Sequence, residues 1–286
     1  ELVLEDNRLQ VLGLSIAEQG GAQRTPSYIR LIDMLEARGA LARPPEGLAD
    51  GESFARRAAE GRGLTRPELA VLLSTSKLAL QDAIERESFT ADPALLPTLI
   101  GAFPALMQGK FRAQILGHRL HREIVATELA NRIVNRMGMI HPFELTEEEG
   151  ATVGHVAAAF ACAEQLFGLG ETWRRLETAK MPEAARLLLF DRAALALRNH
   201  MADLLRAGAG RVAPSELIGT LASGIAELAG SKNELLAREA KTHSARLRGE
   251  FESCGAPAAE AALVADLFDM DGAVGLVRLA SEADMA

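Results

Sequence analysis

The chain has 286 residues, 48% of them hydrophobic and only 4% aromatic, and its 31 Lys and Arg against 39 Asp and Glu leave a formal net charge of −8. That apolar content excludes a disordered chain, and the acidity argues against duplex binding, which needs a basic patch to neutralise phosphates. Cys162 and Cys254 lie far apart and make neither a disulfide framework nor a zinc site, no stretch approaches the roughly 18 apolar residues of a membrane span, and no signal peptide opens the sequence; a cytoplasmic protein with neither nucleic acid nor membrane as partner is expected.

With so few aromatics the core must be built from Leu, Ala, Ile and Val, a mixture that suits helix-on-helix packing. Residues 2–18 place Leu2, Leu9, Leu12 and Ile16 along one helical stripe, stopped by Gly20-Gly21. Thr25-Pro26 starts a second helix carrying Tyr28, Ile29, Leu31, Ile32 and Leu35, and residues 43–51, with two prolines and two glycines, read as a loop. A short helix over 53–60 ends at Gly61-Arg62-Gly63. Thr65-Arg66-Pro67-Glu68 then has the form of a capping box, opening a helix to about Glu87. Pro93, Pro97 and Pro104 punctuate the next stretch.

From Met107 to Met137 there is no proline, which predicts one long central helix, bent near Gly117. At 100° per residue, Leu116, Leu120, Ile124, Thr127, Asn131 and Val134 share one face of it, and Ile115, Arg122, Leu129, Ile133 and Met137 a second. His118, His121, Glu128, Arg132 and Arg136 form a charged arc between them. Residues 139–145 read as a loop and Thr146–Glu149 as a second capping box. Further helices are expected over 149–167, 171–178, 182–206, 214–228, 232–249, 257–270 and 272–283. No strand pattern occurs. The expectation is therefore all-α: a bundle-like, multi-helix domain of about ten to twelve helices with no β-sheet, over 1–286, with a possible subdivision into 1–140 and 146–286.

Chemistry-bearing motifs are few. His118 and His121 are spaced for one helical face, but no HExxH or further Cys/His cluster completes a metal site, so no metal is expected. Gly61-Arg62-Gly63 and Gly168-Leu169-Gly170 lack the third glycine and the preceding strand of a dinucleotide loop, and no phosphate loop is present, so no cofactor-binding residue is assigned. Ser74, Ser76 and Lys77 suggest a Ser–Lys pair without a base or oxyanion hole, and no catalytic residue is assigned. Asn131 and Asn135 are unusual in an apolar helix, and a buried amide left unpaired costs about 1–3 kcal/mol. They are expected to make an anchoring hydrogen bond, with contact to a ligand or another domain as the alternative. Together with Arg122 and the helix-1 residues Leu9, Leu12 and Ile16, they are the interface candidates.

Two groups of phrases carry a family resemblance. Residues 2–18 (LVLEDNRLQVLGLSIAE) are similar to the segment following the catalytic core of the large bacterial NAD-specific glutamate dehydrogenases. Residues 64–84 (LTRPELAVLLSTSKLALQDAI), Phe103-Pro104, and 118–138 (HRLHREIVATELANRIVNRMG) resemble that family's C-terminal helical region, in the same order. The likeness spans about residues 2 to 200 and fades through the Ala-rich end. It implies a parent enzyme that oxidises glutamate to 2-oxoglutarate and ammonium with NAD, whose active-site and dinucleotide residues lie upstream, with no match here. The expected function is a non-catalytic helical module for structure, assembly or regulation. Its partners would be the upstream catalytic domain and further copies in a homo-oligomer, with residues 2–18 as the tether. A start at Glu1, with helical pattern at once, also fits a piece of a longer chain. The rival readings are a free-standing helical interaction module, and a helix-turn-helix regulator over residues 25–41, which the acidic balance disfavours.

Overall fold

A computed structural model describes residues 2–283, with side chains over 6–283. It contains seventeen α-helices among the described residues: α1 Leu2–Gln19, α2 Thr25–Ala37, α3 Arg43–Glu46, α4 Gly51–Ala59, α5 Arg66–Glu85, α6 Leu96–Gly101, α7 Ala105–Lys110, α8 Arg112–Leu116, α9 His121–Met137, α10 His141–Glu148, α11 Val153–Leu166, α12 Leu169–Thr178, α13 Glu183–Ala207, α14 Pro214–Leu235, α15 Arg238–Ser253, α16 Ala258–Asp269 and α17 Ala273–Glu282. The fold is all-α. The one β-type pairing among the described residues is an isolated bridge between Ala209 and Val212. Helices exceed the ten to twelve expected because short α-helices such as α3, α6 and α10 fill stretches that read as loops or short pieces, and because the stretch 107–137 is split.

The chain divides into two compact units, residues 1–91 with 95–157, and residues 92–94 with 158–286. The division falls inside α11.

In the first unit α9 is the hub, packed along α5 and against α1, α6 and α10. Val125, Leu129, Ile133, Val134 and Met137 of α9 are buried with Leu69, Leu72, Leu80 and Ile84 of α5, and Phe143 of α10. The long helix expected over 107–137 is corrected: it is broken at Phe111 and again over 117–120. The reason is local. Gly109 and Gly117 are poor helix formers, and His118 turns its ring inward, Nδ1 accepting the Leu120 amide (3.2 Å) just before α9 begins. His118 and His121 therefore share no helical face, and the stripe joining Leu116 and Leu120 to Ile124 is interrupted.

α5 begins as expected. The Thr65 amide donates to Glu68 Oε2 (2.7 Å), completing the capping box, and Arg57 clasps both carboxylate oxygens at 2.7 and 2.8 Å. The Arg57 hydrogen bonds, with those from Thr65, hold the Glu68 carboxyl down at about 2, from an ordinary 4.5. The unfolded chain thus binds this proton more tightly. The clasp stabilises above pH 4.5, and its contribution drains away as pH falls towards 2. Glu68→Gln is expected to cost about 1–3 kcal/mol at neutral pH and to flatten that acid limb in pH-dependent urea unfolding. An unchanged limb would show that the clasp contributes nothing.

The loop expected over 139–145 is corrected to the start of α10, because Pro142 falls in its first turn, where a missing N–H is harmless. Thr146 is no cap: it lies inside α10, and its hydroxyl donates to the Phe143 carbonyl (2.7 Å). Gly63 is required for a close approach, since a Cβ there would stand 2.7 Å from the Gly21 carbonyl carbon.

The second unit is built on α13, which packs against α12, α15, α16 and α17, while α14 lies on α17 and α15 on α16. Trp173 of α12 stacks on Phe190 of α13, ring centroids 5.7 Å apart. Arg186 caps the end of α12, donating to the carbonyls of Leu176, Glu177 (3.0 Å) and Ala179 (2.8 Å). The helices expected over 214–228 and 232–249 are redrawn: α14 runs through Gly230-Ser231 to Leu235, and the break falls at Leu236-Ala237.

Candidate functional site

The structure brings a set of half-buried and buried polar groups together in the first unit, where α1, α5 and α9 meet. Asp6 of α1 is the acceptor at its centre. Asn135 Nδ2 of α9 donates to Asp6 Oδ1 at 2.7 Å, Lys77 Nζ of α5 approaches the same oxygen at 3.5 Å, and Gln10 Nε2 donates to Oδ2 at 2.5 Å. Lys77 keeps only 11% of its side chain exposed. Its burial pulls the ammonium pKa down, while Asp6 opposes the shift. Glu128, two turns before Asn135, is pushed up by burial, countered by Arg132 and reinforced by Asp6. Arg132 donates to Thr98 Oγ1 of α6 (3.2 Å). A polar seam thus runs through a helix interface that is otherwise Leu, Val and Ala.

This seam is a positioning device. Nothing in it forms a nucleophile with a base: Ser76 Oγ is buried and has no partner among the described residues, and it is not paired with Lys77. What the seam does is fix the register of α1, whose apolar hold is thin. Leu9 and Ala17 are buried, Leu12 and Ile16 are half-buried, and Val11 is exposed; the side chain of Leu2 lies outside the described residues. Asn135 Oδ1 is also buried without a partner among the described residues. An orphaned amide oxygen of that kind is tolerated where the other end of the group is committed to a specific contact.

The candidates named from sequence are therefore distributed unevenly. Asn135 meets α1 through Asp6, on the helix that carries Leu9, Leu12 and Ile16. Asn131 is half-buried one turn earlier. Arg122 is elsewhere, exposed at the start of α9, with Nη2 donating to the Glu87 carbonyl (3.1 Å). Asp6 was missed, Lys77 was read with Ser74 and Ser76, and Glu128 was placed in a charged arc. Lys77 is the single lysine of α5 and Asp6 one of two adjacent acids near the start of α1, and only the fold shows that they face each other.

In the second unit, Asp92 ties its turn to the start of α14: Oδ1 accepts the Ser215 amide (3.1 Å) and Oδ2 the Ser215 hydroxyl (2.9 Å). Burial, and then Asp92, push the Cys162 thiol up to about 12, so it is no thiolate nucleophile. His200 is buried and stacked on Phe167, ring centroids 3.9 Å apart. Burial lowers its pKa to about 4, with a partial offset from the Leu267 backbone, so the ring is neutral at physiological pH. Among the described residues no group of three or more His, Cys, Asp or Glu converges to hold a metal ion. No single described helix is long and apolar enough to cross a membrane; α11 and α12 pass on length and composition only when joined across a 77° bend, and residues 156–163 are buried.

The sequence matches the family described as glutamate dehydrogenase, C-terminal, over residues 61–286. The chain belongs to this family. The glutamate dehydrogenase C-terminal match runs through the Ala-rich end, well past residue 200, where the resemblance read from phrases had faded. The chain is 38% identical over 192 residues to the NAD-specific glutamate dehydrogenase of Pseudomonas aeruginosa, covering 66% of the chain and 12% of that protein. It is 30% identical to its counterpart in Halomonas elongata over 286 residues, 99% of the chain and 18% of the relative. The Mycobacterium tuberculosis enzyme of the same name is 30% identical over 264 residues, 90% of the chain and 16% of the relative. The chain thus spans less than a fifth of the length of these relatives. In the Halomonas comparison residues 1–60, ahead of the family match, are included, so α1 and its Asp6 belong to the shared region.

Proposed function

We propose that these residues are the C-terminal helical module of an NAD-dependent glutamate dehydrogenase, and that they position, assemble or regulate the enzyme without carrying out its reaction. The parent polypeptide would oxidise glutamate to 2-oxoglutarate and ammonium, reducing NAD, in the cytoplasm, as a homo-oligomer, with neither nucleic acid nor membrane as partner. The observation that carries this is the near-complete alignment of the chain to less than a fifth of a dehydrogenase named for NAD. Two features support it. A dinucleotide site needs a strand–turn–helix unit, and no strand is found among the described residues. The Asp6 cluster of the first unit ties down α1, the helix expected to lead back to the catalytic part.

The test compares the full-length polypeptide with a version lacking these residues, measuring glutamate-dependent NADH formation, thermal stability and the number of subunits per oligomer. A change in at least one is expected. Identical values for all three would remove any role as a module.

A further inference from the structure

The stretch from Pro104 to Leu120 stands apart from the rest of the first unit. Ile115 is its only buried residue, and α7 and α8, joined through Phe111 alone, both lie against α6. Leu106 is 92% exposed, and Met107, Phe111, Leu116 and Leu120 are exposed around it. Scattered exposed leucines are ordinary, but five large apolar side chains exposed within residues 104–120 are a concentration of the kind that marks an interaction site. The charge pattern inverts at the same place. In a chain of net charge −8, residues 93–122 contain no Asp or Glu, and carry Lys110, Arg112, Arg119 and Arg122, all exposed.

We propose that this stretch is the docking face for an acidic segment with an apolar centre, carried on the remainder of the dehydrogenase polypeptide. Leu106 and Phe111 would be the anchors, and the basic residues the rim that meets its carboxylates. This rests on the proposed function, and it adds the surface and the chemistry of the partner. The relatives devote more than four-fifths of their length to residues outside the aligned segment, so a tethered occupant is at hand at high effective concentration. Apolar anchors ringed by charges of one sign are the usual anatomy of a specific protein interface. An anionic lipid surface is the poorer occupant. Interfacial helices hold to a membrane along a continuous amphipathic face, many of them 20–30 residues long, whereas α7 and α8 have six and five residues.

The test uses the full-length enzyme. Amides of residues 104–120 are expected to exchange at least tenfold more slowly in the wild type than in Leu106→Glu, a substitution at a side chain that is almost wholly exposed here. Carbodiimide coupling should join Lys110 to a carboxylate outside residues 1–286 of the same polypeptide, and Lys110→Gln should abolish that product. Equal exchange in wild type and variant overturns the docking face. So does a crosslink that mixed isotope labelling assigns to a second copy, or co-sedimentation with phosphatidylserine vesicles that Leu106→Glu abolishes. The two levels separate cleanly. If the full-length enzyme shows no glutamate-dependent NADH formation, the proposed function fails. If it turns over normally with residues 104–120 free, only the docking face fails.

Discussion

Replacing Trp173 by alanine should destabilise the second unit by about 3–5 kcal/mol, the range found for large aromatic truncations in packed cores. Trp173 is 2% exposed, stacks on Phe190, and is the only tryptophan in a chain with very few aromatics. Its neighbours in α12, Leu169 and Leu176, are wholly buried and on the same short helix, so they cannot close the space without moving α12 off α13. At about 2–4 °C per kcal/mol for a domain of this size, the melting temperature should fall by roughly 6–20 °C, read by far-UV circular dichroism because the variant has no tryptophan emission. Trp173→Phe, which keeps a stacked ring, should recover much of the loss. A fall below about 1 kcal/mol would mean that α12 is not held by this contact.

The second large effect belongs to the polar seam. Asp6→Ala removes one carboxylate and strands three groups: the Asn135 amide, the largely buried Lys77 ammonium and Gln10. Breaking a buried pair from one side costs about 3–5 kcal/mol. Asp6 is itself about one-third exposed, so about 2–3 kcal/mol is the reasonable figure after screening. Lys77→Met, which keeps the aliphatic stem and drops the charge, should cost less, and the double variant should cost less than the two singles added together. The coupling in that cycle, measured by urea unfolding, is expected to exceed about 0.5 kcal/mol, the level at which contacting residues depart from additivity. Strict additivity would show that α1 is held by its leucines alone.

The class of fold was legible in the sequence because nearly every segment repeats at helical period and no segment alternates. Caps with a strong chemical signature were legible too, as Thr65–Glu68 shows. Thr146 had the same pattern and was not a cap, because Pro142 had already begun the helix upstream. The break at 117–120 was hidden for a related reason. Two glycines are weak evidence of a stop, and the decisive contact, a histidine ring nitrogen taking a backbone amide, is invisible to periodicity. Once that helix is broken, a wheel drawn through both halves mixes two phases, which is why Leu116 and Leu120 were placed with Ile124 and why the exposed stretch over 104–120 was not foreseen.

The seam was half legible. Asn135 stood out as an amide in an apolar helix, and it does reach a polar partner. That partner, Asp6, is 129 residues away in sequence, and Lys77 was read beside Ser74 and Ser76 as a possible catalytic pair. Sequence places charges on helices. Which charges face one another is set by how the helices cross, and no local rule supplies that.

The most direct measurement is glutamate-dependent NADH formation by residues 1–286 alone, followed by absorbance, with NADH fluorescence in the same sample to detect binding. No turnover and no fluorescence enhancement are expected, while the full-length polypeptide should show both. Turnover by these residues alone, or NADH held at micromolar concentration, would contradict the assignment of the chemistry to the rest of the enzyme.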